Sequence, residues 1–247
     1  MVETILLILV GCIAGVINTI AGGGSLLTLP FLIFLGIPSN VANGTNRVAI
    51  LIQNIFSTAG FQSKGVSAYP FSIHMGLSAL AGSFIGAKIA VDIQGDTFNK
   101  ILAIVMILVV LVMIFKPKNT EKYTAERTKG KYFWATVVAF FFIGIYGGFI
   151  QAGTGIFILL ALSSISNFSL VKSNSVKVVV AFIYTIGAVL VFAYNSKIDW
   201  QIGLTMAIGN SLGAWFASRW SVQKGDGLVK IFLAVMVSGM AIKLWFF

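Results

Sequence analysis

The sequence predicts an all-α polytopic membrane protein made of two inverted repeats. Each repeat is expected to hold a short glycine-broken re-entrant or half-crossing helix pair followed by three transmembrane helices. Three observations lead there. The mean hydropathy is +0.97 and only 10% of residues are charged, against roughly 25% in soluble domains. Glycine-rich polar breaks interrupt apolar sequence at Gly15–Ser25 and Gly147–Gly155. Three stretches recur in the same order at offsets of about 130 residues.

Ten apolar segments follow one another, at 4–20, 25–37, 41–59, 71–91, 98–115, 132–150, 154–166, 171–194, 200–220 and 227–247. Segments 25–37 and 154–166 reach roughly 20 Å as helix, short of the roughly 30 Å hydrocarbon core. In the recurrence, Ala14–Gly24 matches Gly147–Gly155 with two residues dropped, Val41–Arg47 matches Val171–Lys177, and Gly82–Ala87 matches Gly209–Ala214. Five segments per half is an odd number, so the halves enter the membrane from opposite sides, as in many secondary transporters. This divides the chain into a first transmembrane repeat (1–115), a linker (116–131) and a second repeat (132–247). The linker carries six basic residues against Glu121 and Glu126. The excess of positive charge on inner loops places it in the cytoplasm and both termini outside a cell (inner) membrane.

Irregular backbone at membrane depth is tolerated only where protein or a water-filled cavity surrounds it. The run Asn18, Thr19, Ala21, Gly22, Gly23, Gly24 and Ser25 is such a break, rich in exposed N–H groups. Arg47 and Lys177 lie inside apolar segments at equivalent repeat positions, while all seven acids lie at segment ends or in loops. A cation in the bilayer without a carboxylate partner costs a few kcal/mol or more, which a bound anion would offset. Snorkelling to the interface is the competing account. Asn43, Gly44, Thr45 and Asn46, and likewise Ser173, Asn174 and Ser175, precede long helical runs. They are expected to cap helix N-termini, whose partial positive charge would face an anion. Asn54, seven residues after Arg47, falls near its face, and Gln53 less squarely; interhelical hydrogen bonding suits both. Gly82, Gly86, Gly209 and Gly213 form small-xxx-small pairs suited to close helix packing. Lone His74 is expected at the interface.

Several classes are excluded. One cysteine rules out an intramolecular disulfide and any multi-cysteine metal site. The glycines lack nucleotide-loop spacing, and no catalytic constellation is present. The net charge of +10 follows the membrane-flanking positions, so no nucleic-acid partner is expected, and neither is a cofactor or metal.

The stretch Gly-x-x-Ala-Gly-x-x-Asn-Thr-x-Ala-Gly-Gly-Gly-Ser-Leu-Leu-Thr-x-Pro (Gly11–Pro30), followed by Gly-Thr-Asn-Arg (Gly44–Arg47), resembles the TauE/SafE sulfite exporter family, the group also called toluene-sulfonate uptake permeases. The likeness covers the whole chain in length, segment count and duplication. Its motifs are strong in the first half and weaker in the second, where Gln151-Ala152-Gly153-Thr154-Gly155 replaces a fuller glycine cluster and no proline follows. The resemblance implies transport of sulfite, a sulfonate or a related small sulfur anion. The residue reading itself asks only for an anion, bound between Asn18–Ser25, Asn43–Arg47, Gln151, Gly153, Thr154, Gly155 and Asn174, Ser175 and Lys177, with Arg47 the first source of charge and Lys177 the second. A carrier for another small anion, a channel, and a membrane-embedded binding subunit of a larger complex are the alternatives. A homo-oligomer is compatible with all of them.

Overall fold

A computed structural model describes residues 2–67, 69–115 and 125–222. Among them every regular element is a helix: α1 (Val2–Ala21), α2 (Ser25–Phe34), α3 (Ser39–Gln62), α4 (Phe71–Asp92), α5 (Gly95–Phe115), α6 (Gly130–Phe149), α7 (Thr154–Ser164), α8 (Leu170–Tyr194) and α9 (Trp200–Ser221). Each takes the place of one of the first nine apolar segments. The tenth, 227–247, and linker residues 116–124 lie outside the described residues. Among the described helices, α1, α4, α6 and α8 are long and apolar enough to cross a membrane. The short pair is shorter than the hydropathy suggests, at 10 residues for α2 and 11 for α7, about 15 Å each.

The packing is reciprocal. α1 lies along α9 and α6 along α4, while α3 packs on both α9 and α8, and α8 also on α4. Glycines set the approach. Gly209 and Gly213 of α9 abut the α1 carbonyls of Ile8 and Cys12, and Gly82 and Gly86 of α4 abut the α6 carbonyls of Phe141 and Ile145. A methyl group at any of the four would overlap that backbone. This is the close packing expected of small-xxx-small pairs.

Two large apolar cores result. One joins α1, α2 and α5 through Ile17, Leu29, Phe98, Leu102 and Met106, and the other joins α4, α6, α7 and α8 through Met75, Phe140, Ile158 and Val180. Outer faces keep large apolar side chains exposed, such as Ile5, Leu9 and Ile13 on α1 and Leu204, Ile208, Leu212 and Phe216 on α9. A membrane-facing surface accounts for such bands. His74 sits exposed in the first turn of α4, its ring nitrogen 3.0 Å from the Pro70 carbonyl.

One expectation about helix starts is corrected. α3 begins at Ser39 after Pro38, and α8 begins at Leu170 after Ser169, whose hydroxyl accepts from the Lys172 N–H. Asn43–Asn46 and Ser173–Ser175 therefore lie inside their helices and cap neither. The side chains of Asn43, Thr45, Asn46, Asn174 and Ser175 are drawn to partners on other elements, which leaves the helices free to start a turn earlier.

Candidate functional site

The two glycine breaks meet at the centre of the fold. α1 ends at Ala21, and Gly22 takes a left-handed φ of +78°. Its N–H donates back to Ile17 and Asn18 carbonyls at 3.2 and 3.0 Å, a helix stop that glycine makes without strain. The chain turns through Gly23 and Gly24, whose carbonyls accept from Leu26 and Leu27, and enters α2 at Ser25. Gly24 is packed against the Ala14 carbonyl and Asn18. In the second half the left-handed position after α6 is filled by Gln151, at φ +64°, and recurs at Gly153, at φ +73°. Gly153 presses on Val109 of α5. Thr154 Oγ1 donates to the Gln151 carbonyl at 2.9 Å and opens α7. A Cβ placed on Gly155 would stand 2.5 Å from Gly22 Cα, so the two breaks touch backbone to backbone.

Arg47 and Lys177 close these broken helices crosswise. Arg47 is fully buried, and its guanidinium donates to the carbonyls of Gly147 (2.9 Å), Gly148 (2.7 Å) and Phe149 (3.2 Å), the last residues of α6. It also donates to Asn43 Oδ1 and lies over the Phe192 ring, while Asn43 Nδ2 donates to the Phe149 carbonyl at 2.8 Å. Lys177 Nζ donates to the carbonyls of Asn18 and Thr19, both at 2.8 Å, and to Asn174 Oδ1 at 2.6 Å. Asn174 Nδ2 in turn donates to the Ile20 carbonyl at 3.1 Å. Each cation of one half thus satisfies the C-terminal carbonyls of the broken helix of the other half, where the helix dipole is negative. Main-chain carbonyls take the place of carboxylate partners here, and they leave no mark in a sequence.

A small cavity lies beside this junction. Asn18, Ser25, Ile50, Asn54, Gln151, Gly155, Ile158, Lys177, Ala181 and Tyr184 line it, and it leaves the centre of a water molecule about 20 Å³ to move in. Among the described residues Lys177 is the one charged residue in that wall. Gln151 Nε2 donates to Thr185 Oγ1 at 3.2 Å, and its Oε1 is buried without a hydrogen-bond partner. The Tyr184 hydroxyl lies beside Gln151, Thr154 and Thr185.

Six of the residues singled out from sequence meet here: Asn18, Ser25, Asn54, Gln151, Gly155 and Lys177. The others hold the surroundings. Thr19 Oγ1 pairs with Ser57 Oγ at 2.9 Å, and Ala21 joins the first core. Gly44 lets α3 approach the Lys197 carbonyl, and Thr45 Oγ1 accepts from the Asp199 N–H at 2.9 Å. Asn46 Oδ1 accepts from Thr28 Oγ1 at 2.7 Å, and Ser175 Oγ donates to the Val66 carbonyl at 3.2 Å. Gln53 bonds across to Asn210, whereas Asn54 faces the cavity. Sequence reasoning missed Tyr184. The signal was available, since it lies seven residues after Lys177 as Asn54 does after Arg47.

Comparison with known proteins points to one family. The sequence pattern of the family described as "Sulfite exporter TauE/SafE" matches residues 7–244. A probable membrane transporter protein, ORF9, of a Sinorhizobium species is 31% identical over 94% of this chain and 88% of its own. The probable membrane transporter protein YfcA of Escherichia coli K12 is 31% identical over 96% of this chain and 88% of its own. A probable membrane transporter protein of Haemophilus influenzae is 28% identical over 97% and 93%. No solved structure matches the chain. With residues 7–244 matched by the family pattern and relatives 31% identical over nearly its whole length, the chain is a multi-pass membrane transporter protein that belongs to the TauE/SafE sulfite exporter family.

Proposed function

We propose that the protein is a secondary transporter that moves a small sulfur-containing anion, sulfite or a small sulfonate, across the cell membrane. The observation that carries this reading is the position of Lys177. Its ammonium lines a buried cavity formed where two helix breaks meet, and the acids of the described residues lie elsewhere. Asn18, Ser25 and Gln151 surround it with hydrogen-bonding groups. The three oxygens of a sulfite or sulfonate head accept several such bonds, and Lys177, whose three N–H groups serve Asn18, Thr19 and Asn174, contributes its positive charge. Arg47 then acts at one remove, fixing the end of α6 beside the site.

The two halves are inverted repeats in this reading. The pairing of α1 with α9 and of α6 with α4, and the crossed capping by Arg47 and Lys177, support it. Alternating access would come from one half moving against the other about the Gly22–Gly155 contact. The linker is cytoplasmic, and both termini lie outside the inner membrane.

The test is transport by the purified full chain in liposomes, with radiolabelled sulfite and methanesulfonate exchanged against unlabelled anion. The wild type should exchange at least one of them with saturation, and Lys177→Met should lose it. A wild type that moves neither anion refutes transport of this class. Conductance without saturation would make the protein a channel.

A further inference from the structure

We propose that the cleft between the C-terminal ends of α4 and α8 binds a phospholipid with a zwitterionic, primary-ammonium headgroup, phosphatidylethanolamine. The site is separate from the junction cavity and does not depend on which anion is moved.

α4 and α8 pack along each other, and an open cleft of about 520 Å³ runs between them, within the roughly 300–1,000 Å³ of small-ligand sites. The cleft is graded along its length. Phe84 and Leu190 wall one part with apolar side chains, 43% and 58% exposed. Toward the helix ends the walls become polar, with Lys88 and Asp92 on α4 and Tyr194 and Asn195 closing α8. A change from apolar to charged within about two helical turns marks the level where hydrocarbon gives way to headgroups. An acyl chain suits the first part and a headgroup the second.

Charge selects the headgroup. Lys88 and Asp92 are exposed and stand one turn apart, about 5–6 Å between Cβ atoms. Neither makes an ion pair or hydrogen bond among the described residues, and lysine ahead of the acid is the weaker order for such a pair. Asn195 Nδ2 is spent on the Val191 carbonyl at 2.8 Å, which leaves its Oδ1 as an acceptor. Tyr194 is 90% exposed. The lip therefore offers donors for a phosphate, from Lys88 and Tyr194, and acceptors for an ammonium, from Asp92 and Asn195. Ethanolamine carries its ammonium two carbons from the phosphate, a spacing that one helical turn can match. Phosphatidylglycerol brings no cation to Asp92, and the trimethylammonium of phosphatidylcholine has no N–H to donate.

The second half lacks this pair. The match of Gly82–Ala87 with Gly209–Ala214 puts Trp215 in the place of Lys88 and Arg219 in that of Asp92, and Arg219 lies over the Trp215 ring. The larger cleft between α3 and α9, about 670 Å³, is lined by apolar side chains and Ser211, with no charge.

The experiment offers the delipidated full chain in detergent an equimolar mixture of phosphatidylethanolamine, phosphatidylcholine and phosphatidylglycerol, and counts bound lipid by native mass spectrometry. Wild type should retain phosphatidylethanolamine over both others, and Lys88→Gln and Asp92→Asn should each weaken that preference. Asp92→Lys puts two cations on the lip and should shift the ratio toward phosphatidylglycerol by about fivefold, the scale of one charge at a membrane surface. Misfolding does not produce such a gain. Leu212→Ala, in the α3–α9 cleft, should leave the ratio unchanged. Equal retention of the three lipids by wild type overturns the proposal, as does a wild-type preference for phosphatidylglycerol, which a basic surface alone explains. A preference that survives in both Lys88→Gln and Asp92→Asn, or is lost in Leu212→Ala, places the lipid elsewhere and overturns it as well.

Discussion

Replacing Arg47 by alanine distinguishes a helix-capping cation from one held ready for substrate. In the folded protein the guanidinium serves the carbonyls of Gly147, Gly148 and Phe149. After the substitution Phe149 keeps the Asn43 amide at 2.8 Å, and the other two carbonyls lose the bonds that Arg47 gave them. A buried acceptor left without its partner costs about 1–3 kcal/mol, so the pair amounts to about 2–6 kcal/mol. For a chain of this size each kcal/mol lowers the melting temperature by about 2–4 °C, which gives a fall of at least several degrees. The assay is thermal unfolding of the ligand-free protein in detergent at a fixed scan rate, beside Arg47→Lys. The lysine variant restores a donor and should recover part of the loss, without the two-pronged geometry. If ligand-free Arg47→Ala melts within about 1 °C of wild type, the capping role is wrong and the guanidinium is free for another task.

Lys177→Met removes the donors to the Asn18 and Thr19 carbonyls; it should destabilise the ligand-free protein on the same scale and abolish stabilisation by sulfite, both read from melting curves with and without the anion. Gln151→Gly relieves a left-handed backbone position worth about 1–2 kcal/mol, so the variant should melt higher than wild type while exchanging sulfite more slowly. Gly86→Ala forces a methyl group onto the Ile145 carbonyl and should cost about 1–3 kcal/mol of overpacking, seen as a lower melting temperature and reduced yield of folded protein. Lys172→Ala breaks an exposed ion pair with Glu126 and should shift stability by no more than about 1 kcal/mol, less at high salt.

The sequence alone determined the class of protein and the position of nine helices among the described residues, because a bilayer demands long apolar stretches with internally satisfied backbone. It also located both breaks, since Gly22 and Gly153 are residues that a left-handed turn selects. The small-residue pairs on α4 and α9 were legible for the same reason: only glycine lets helix backbones come so close. Tertiary structure decided what the polar residues do. Arg47 looked like an anion's partner because its acceptors are carbonyls of residues about 100 positions away, and carbonyls are common to every residue. Asn43, Thr45 and Asn46 carry the composition of a helix cap, yet long-range partners claim their side chains two turns or less into α3. Tyr184 is marked in the sequence only by its repeat position seven residues after Lys177, because it lines the cavity where α8 meets the break after α6. Apolar periodicity and backbone freedom are written residue by residue, whereas hydrogen bonding inside a membrane is settled by whichever donor the fold brings to each orphaned carbonyl.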